Sequence, residues 1–149
     1  TQGYSSAASD VYKRQDKDWP IYARAESEPP AYLGETAEVD HSVVTRGSEV
    51  EGAVRNSVLS QRCTVAEGAE VEYSILMPGV VVERGARVAY AILGENVRVG
   101  ENARVGASPE AAPPEEWGIT VVGPEAQVEA GRTLKANRML NREGKETVR

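Results

Sequence analysis

The chain of 149 residues has one histidine, His41, and one cysteine, Cys63. These two limit the chemistry it can do. A lone histidine can act as general base toward an acceptor hydroxyl in acyl transfer. It cannot supply the three His ligands of a β-helix carbonic anhydrase zinc. Asp40 precedes it, and neighbours in a strand point to opposite faces, so the spacing predicts no direct Asp40–His41 dyad. One cysteine excludes an internal disulfide and a C-x-x-C metal site. Glu115 and Glu116 are adjacent in a Pro-rich stretch and read as solvated. No G-x-G-x-x-G string follows a strand and opens a helix, so no nucleotide loop is visible.

Composition narrows the classes further. The net charge of −6 argues against generic nucleic-acid binding. No stretch approaches the roughly 20 apolar residues of a membrane span, and none reads as a secretory leader, so a cytoplasmic location is expected. Aromatic residues are 5% and Phe is absent, which suits a narrow core of Val, Leu and Ala.

The elements that must position these residues are set by repetition. VDHSVV begins at Val39, VRNSVL at Val54, VEYSIL at Val71 and VAYAIL at Val88. A second string recurs between them: LGETAE from Leu33, VTRGSE from Val44, VAEGAE from Val65, VERGAR from Val82, VGENAR from Val99 and VGPEAQ from Val122. An aliphatic residue leads each string, and a small residue stands fifth (Ala37, Ser48, Ala69, Ala86, Ala103, Ala126). Aliphatic spacings of five and six exclude an amphipathic helix. The pattern predicts an all-β fold, a left-handed parallel β-helix of hexapeptide repeats with about five to six coils. Strands of roughly five or six residues form three sides of each coil. Leu59, Leu76 and Leu93 form one inward column, Val65, Val82 and Val99 a second, and Val71, Val88 and Val105 a third. Gly, Asn and Glu take the corners. The coil from Val44 to Val58 is shorter than the later ones, which predicts one tighter corner.

Four zones follow. Residues 1–15 contain SSAASDVYKRQ, which resembles the translation of a sequencing-library transposon adapter. They are expected to be an artefact and disordered. The chain is then a fragment whose native part starts near Asp16. Residues 16–32 form a Pro-rich linker with Trp19, Ile21, Tyr22 and Tyr32 as apolar anchors. Residues 33–134 form the β-helix, interrupted by a mobile loop at 106–118. Residues 135–149 form a polar tail, either a capping segment or disordered.

The linker DWPIYARAESEPPA, then SVVTRGSEVEGAVRNSVLS and VEYSILMPGV, resemble the C-terminal β-helix domain of the ADP-glucose pyrophosphorylase (glucose-1-phosphate adenylyltransferase) family. The resemblance covers Asp18 to about Leu134. It implies a regulatory and oligomerisation domain, in a parent that joins glucose 1-phosphate to ATP with Mg²⁺ in glycogen biosynthesis. ATP and Mg²⁺ would bind a separate N-terminal catalytic domain, so this fragment needs no cofactor and is expected to be inactive alone. Its partners would be that domain and the other subunits of a homo- or hetero-tetramer. A sugar-phosphate or nucleotide effector would bind between domains, with no nucleic acid or membrane involved. The resemblance also implies an effector role for Arg62, in VLSQRCTV. Its guanidinium fork suits phosphate oxygens; the alternative is a solvated corner charge. Arg46, in VTRGSE, lies at a similar corner one coil earlier and could extend the same basic strip. Members with arginines in the last strand differ from this chain, which reads VVGPEA there. Arg132 or Arg138 would have to substitute in space. The competing readings are the noncatalytic sister subunit, a hexapeptide acyltransferase using His41, and the tail of another sugar-nucleotide pyrophosphorylase.

Overall fold

The computed structural model describes residues 27–111 and 113–148. The adapter-like segment and most of the linker lie outside the described residues. Elsewhere the chain bends at regular left-handed turns. At one corner, positive φ falls on Gly47, Arg62, Gly79, Asn96 and Glu125; at a second, on Gly68, Gly85, Asn102 and Gly131. At the third it falls on His41, Asn56, Tyr73, Tyr90 and Asn137. Asn accepts this conformation more readily than most side chains. Where Arg, Tyr or Glu takes it, the ladders on either side hold the turn.

The segments between corners stack into three faces, with strands numbered in chain order. Face one holds β1 (Tyr32–Leu33), β4 (Glu49–Val50), β7 (Thr64–Val65), β10 (Val81–Val82), β13 (Arg98–Val99) and β16 (Gln127–Val128). Face two holds β2 (Glu38–Asp40), β5 (Ala53–Arg55), β8 (Glu70–Glu72), β11 (Arg87–Ala89), β14 (Arg104–Val105) and β17 (Thr133–Leu134). Face three holds β3 (Val43–Val44), β6 (Val58–Leu59), β9 (Ile75–Leu76), β12 (Ala91–Leu93), β15 (Thr120–Val122), β18 (Arg138–Leu140) and β19 (Glu146–Val148). Among the described residues every pairing is parallel except β18 with β19. The all-β parallel β-helix of hexapeptide coils read from the repeats is the fold the chain adopts. Its strands are shorter than the five or six residues expected, because the residues flanking each two- or three-residue ladder already turn the corner.

The inward columns fall in register. Leu59 pairs with Leu76 and Leu76 with Leu93. Val65, Val82 and Val99 align on face one, and Val71, Val88 and Val105 on face two. All nine are buried, as are Ser48, Ala69, Ala86, Ala103 and Ala126. The short coil does give a tight corner. Only Glu51 and Gly52 join β4 to β5, where four residues join β7 to β8.

Two features were not read from the repeats. At the third corner a serine ladder runs up the helix. The hydroxyls of Ser42, Ser57 and Ser74 each donate to the carbonyl two residues back at 2.7 Å. Each accepts the amide of the next coil at 3.1 Å, from Ser57, Ser74 and Ala91 in turn. The other is the tail. Residues 135–149 carry β18 and β19, and β19 turns back antiparallel on β18. Arg132 Nη2 and Arg138 Nε meet Glu146 at 3.3 and 3.7 Å and help fasten the hairpin.

Candidate functional site

Arg62 lies at the corner between faces three and one, with φ of +58°. Its amide donates to the Arg46 carbonyl at 3.4 Å, so Arg46 does lie one coil below at the same corner. Both residues are exposed. Arg62 is neither a simple solvated charge nor an open anion site. Its Nη1 is 3.6 Å from Glu28 Oε1, and the Glu28 side chain is only 18% exposed. Glu28 is held there by the chain itself, since the Gly47 amide donates to the Pro29 carbonyl at 2.7 Å. A carboxylate therefore already faces the guanidinium, and an incoming phosphate must displace it.

Arg132 and Arg138 do not join this corner. Arg138 opens β18, on the far side of face three and four coils higher, about 19 Å along the stack at ~4.8 Å per coil. Both pair with Glu146 instead.

The expectation that Asp40 and His41 point apart fails. β2 ends at Asp40, and His41 takes a left-handed φ of +44°, so it is a corner residue and not a strand residue. His41 Nδ1 and Asp40 Oδ1 then sit 2.9 Å apart, with both side chains largely exposed. A pair so open to water does not enclose an acyl donor.

Cys63 is fully buried, and its thiol donates to the Met77 carbonyl at 3.3 Å. Burial pushes its pKa up from 9.0 to about 11. The folded chain then holds the proton more tightly than the unfolded one. This contribution is complete below pH ~9 and is lost as pH rises toward 11. Stability should fall across that window by up to roughly 2–3 kcal/mol, because each tenfold difference in proton affinity is worth about 1.4 kcal/mol. Chemical denaturation of wild type and Cys63→Ala at pH 8 and 11 checks this, because only wild type should lose that component.

The three outer faces differ in chemistry. Face two carries an ion ladder: Arg55 bridges Glu38 at 2.7 Å and Glu72 at 3.1 Å, and Arg87 meets Glu70 at 3.5 Å. The hydrogen bond to Glu72, then that to Glu38, raises the Arg55 pKa. Face three is apolar. Val43, Val58, Ile75, Ile92, Val121 and Met139 point outward in one unbroken register. Val43, Val58, Ile75 and Met139 are 41–59% exposed. The stripe runs about 24 Å, five spacings of ~4.8 Å. The signal for it was present, since the residue before each column leucine (Val58, Ile75, Ile92) is itself aliphatic. Tyr73 and Tyr90 stack beside the stripe with centroids 4.8 Å apart, and Trp117 packs edge-on against Tyr90 at 5.7 Å. The Trp117 indole donates to the Ala107 carbonyl at 2.9 Å, which ties the 106–118 loop to the corner. Between this loop and the last coil lies a cleft of about 730 Å³ whose lining includes Glu115, Glu116, Lys135 and Arg138. Among the described residues no group of three His, Cys, Asp or Glu could hold a metal ion.

Known proteins share this geometry. Residues 30–130 match the family described as GlmU-like, C-terminal hexapeptide. A glucose-1-phosphate adenylyltransferase from Desulfitobacterium hafniense is 32% identical over 114 residues, 76% of this chain and 28% of that protein. One from Bacillus thuringiensis is 47% identical over 64 residues, 43% of this chain and 17% of that protein. The chain thus spans 17–28% of the length of these relatives. Among solved structures, the acetyltransferase domain of PglB from Neisseria gonorrhoeae aligns with a TM-score of 0.61 at 21% identity, over 76% of this chain and 55% of that one. At that identity the likeness concerns the fold alone.

Proposed function

Because this chain belongs to the GlmU-like, C-terminal hexapeptide family, we propose that it is the C-terminal regulatory and oligomerisation domain of a glucose-1-phosphate adenylyltransferase. The observation that carries this reading is the aliphatic stripe of face three. Six outward aliphatics in register are costly to leave in water and suit a protein contact. Relatives bearing that enzyme name, matched over the same coils, support the parent. In this reading ATP, glucose 1-phosphate and Mg²⁺ bind elsewhere in the parent, within the cytoplasm. The domain contributes contacts to its catalytic domain and to sister subunits of a tetramer. Its Arg62 corner, with Arg46 below, receives a phosphorylated effector. Among the described residues no helix is long and apolar enough to cross a membrane. Acyl transfer lacks comparable support, since the His41 side chain is 78% exposed.

The test uses the parent enzyme with its catalytic domain. Arg62→Ala should raise the concentration of a sugar bisphosphate needed for half-activation about tenfold or more, and leave unactivated turnover nearly unchanged. Losing one charge-assisted bond to phosphate costs roughly 1.5–3 kcal/mol, and about 1.4 kcal/mol is tenfold. Glu28→Gln should act in the opposite direction, because it removes the carboxylate that faces Arg62. An Arg62→Ala activation curve that superimposes on wild type would remove Arg62 from the effector site. Loss of the tetramer in that variant would make Arg62 an assembly residue.

A further inference from the structure

Face two pairs its own charges up to its fourth strand and then stops. Arg55 lies between Glu38 and Glu72, and Arg87 meets Glu70, its register partner, at 3.5 Å. The next residue in that column is Arg104, so two arginines stack in register. Like charges side by side across a ladder are destabilising. Above Arg104 stands Thr133, which brings no carboxylate. Lys135 follows on the same outward side, because Leu134 between them is buried while Thr133 and Lys135 are exposed. Arg104 is exposed as well. Among the described residues neither Arg104 nor Lys135 meets a carboxylate, whereas Arg84, Arg87, Arg98, Arg132, Arg138 and Arg142 all do. Acidic side chains are not scarce, since the chain has 23 of them against 17 Lys and Arg. The uncompensated positive charge is therefore local to the top of face two.

That charge stands beside the cleft under the 106–118 loop. Thr133 and Lys135 line the cleft, and Arg104 is the register partner of Thr133. The Gly106 amide donates to the Leu134 carbonyl at 2.8 Å, which carries the register on to Lys135. Strands ~4.8 Å apart and a two-residue advance of ~6.6 Å put Arg104 and Lys135 about 8 Å apart on the diagonal. Two long cationic side chains at that spacing can close on one anionic group. We propose that Arg104, Thr133 and Lys135 hold a phosphate group at the mouth of the cleft, and that the hydroxylated body of the same small molecule lies under the loop. Guanidinium, ammonium and hydroxyl donors suit phosphate oxygens. Glu115 and Glu116, on the loop side of the cleft, accept hydrogen bonds and suit hydroxyl groups. They also repel further negative charge, which disfavours a nucleic acid or an acidic peptide. The ligand is thus a phosphate monoester of a polyhydroxy compound. Arg62 lies at the corner between faces three and one and takes no part, so the proposal stands whether or not Arg62 receives an effector.

Amide chemical shifts of the full chain test this, titrated at constant ionic strength with inorganic phosphate and with glucose 6-phosphate. Both probes should give saturable shifts at Arg104, Thr133 and Lys135. Glucose 6-phosphate should bind more tightly and also move Glu115 and Glu116. Arg104→Gln/Lys135→Gln should weaken both probes by about tenfold or more. The Val71 and Leu93 amides should keep their wild-type shifts in that variant, as the control that the coils remain folded. Glu115→Gln/Glu116→Gln should abolish the advantage of glucose 6-phosphate over inorganic phosphate. Shifts that never saturate, or that sodium chloride reproduces, would overturn the proposal as charge screening. Unchanged affinity in the Arg104/Lys135 double variant would overturn it too, and so would loss of these shifts in Arg62→Gln. Equal affinity of wild type for the two probes would overturn the cleft as the seat of the hydroxylated body.

Discussion

Leu76→Asp is expected to abolish cooperative thermal unfolding, while Ile75→Asp, one residue earlier, leaves it in place. Leu76 is 0% exposed and stacked between Leu59 and Leu93. Truncating a buried leucine costs about 2–5 kcal/mol. An aspartate adds a carboxyl with no partner in an apolar column, and must be neutralised or solvated by opening the stack. The sum approaches the total stability of an ordinary domain, roughly 5–15 kcal/mol. Each coil rests only on its neighbours, so no other layer can compensate. Ile75 points the other way and is 43% exposed, and a surface change of that kind moves stability by only about 0.5 kcal/mol. If face three is the assembly surface, Ile75→Asp should instead weaken association of the parent. Circular dichroism melts read the first effect and sedimentation the second. A Leu76→Asp chain that melts like wild type would contradict the column.

Gly52→Ala is expected to lower the melting temperature by about 3–12 °C. A Cβ built on Gly52 would meet the Ala69 carbonyl oxygen closer than real Cβ contacts allow, and would lie 2.7 Å from that of Ala66. Both obstacles are backbone, so neither can swing aside as a side chain would. The requirement is spatial and not conformational, since Gly52 is absent from the positive-φ glycines. It arises because this corner turns in two residues and passes close under the four-residue corner of the next coil. Overpacking of this kind costs about 1–3 kcal/mol, and for a chain of this size each kcal/mol shifts the melt by roughly 3–4 °C. Gly131→Ala is the contrast, because nothing lies within 4 Å of its Cβ position and the residue has φ of +70°. Its effect should be confined to local backbone strain, near ~1 kcal/mol.

The spacing of aliphatic and small residues carried the fold class, the inward columns and the short coil, but not that His41, Arg62, Tyr73 and Tyr90 would take the left-handed corner positions expected for Gly, Asn and Glu. The first three follow from nearest-neighbour stacking, which makes position within a repeat equivalent to position in space. Arg46 and Arg62 were placed at one corner for the same reason. What stacking does not encode had to come from the folded chain. The Asp40–His41 pair depends on where β2 stops and a left-handed residue begins, a boundary that alternation along a strand cannot give. Glu28 facing Arg62 depends on how the linker enters the first coil, and that entry lies outside the repeats. Glu146 closing on Arg132 and Arg138 depends on a reversal of chain direction after β18, where the repeat ends. The sequence by itself determined which residues share a column. Only the tertiary structure decided which charges the chain neutralises for itself and how β19 folds back on the last coil, because those contacts join segments that no period relates.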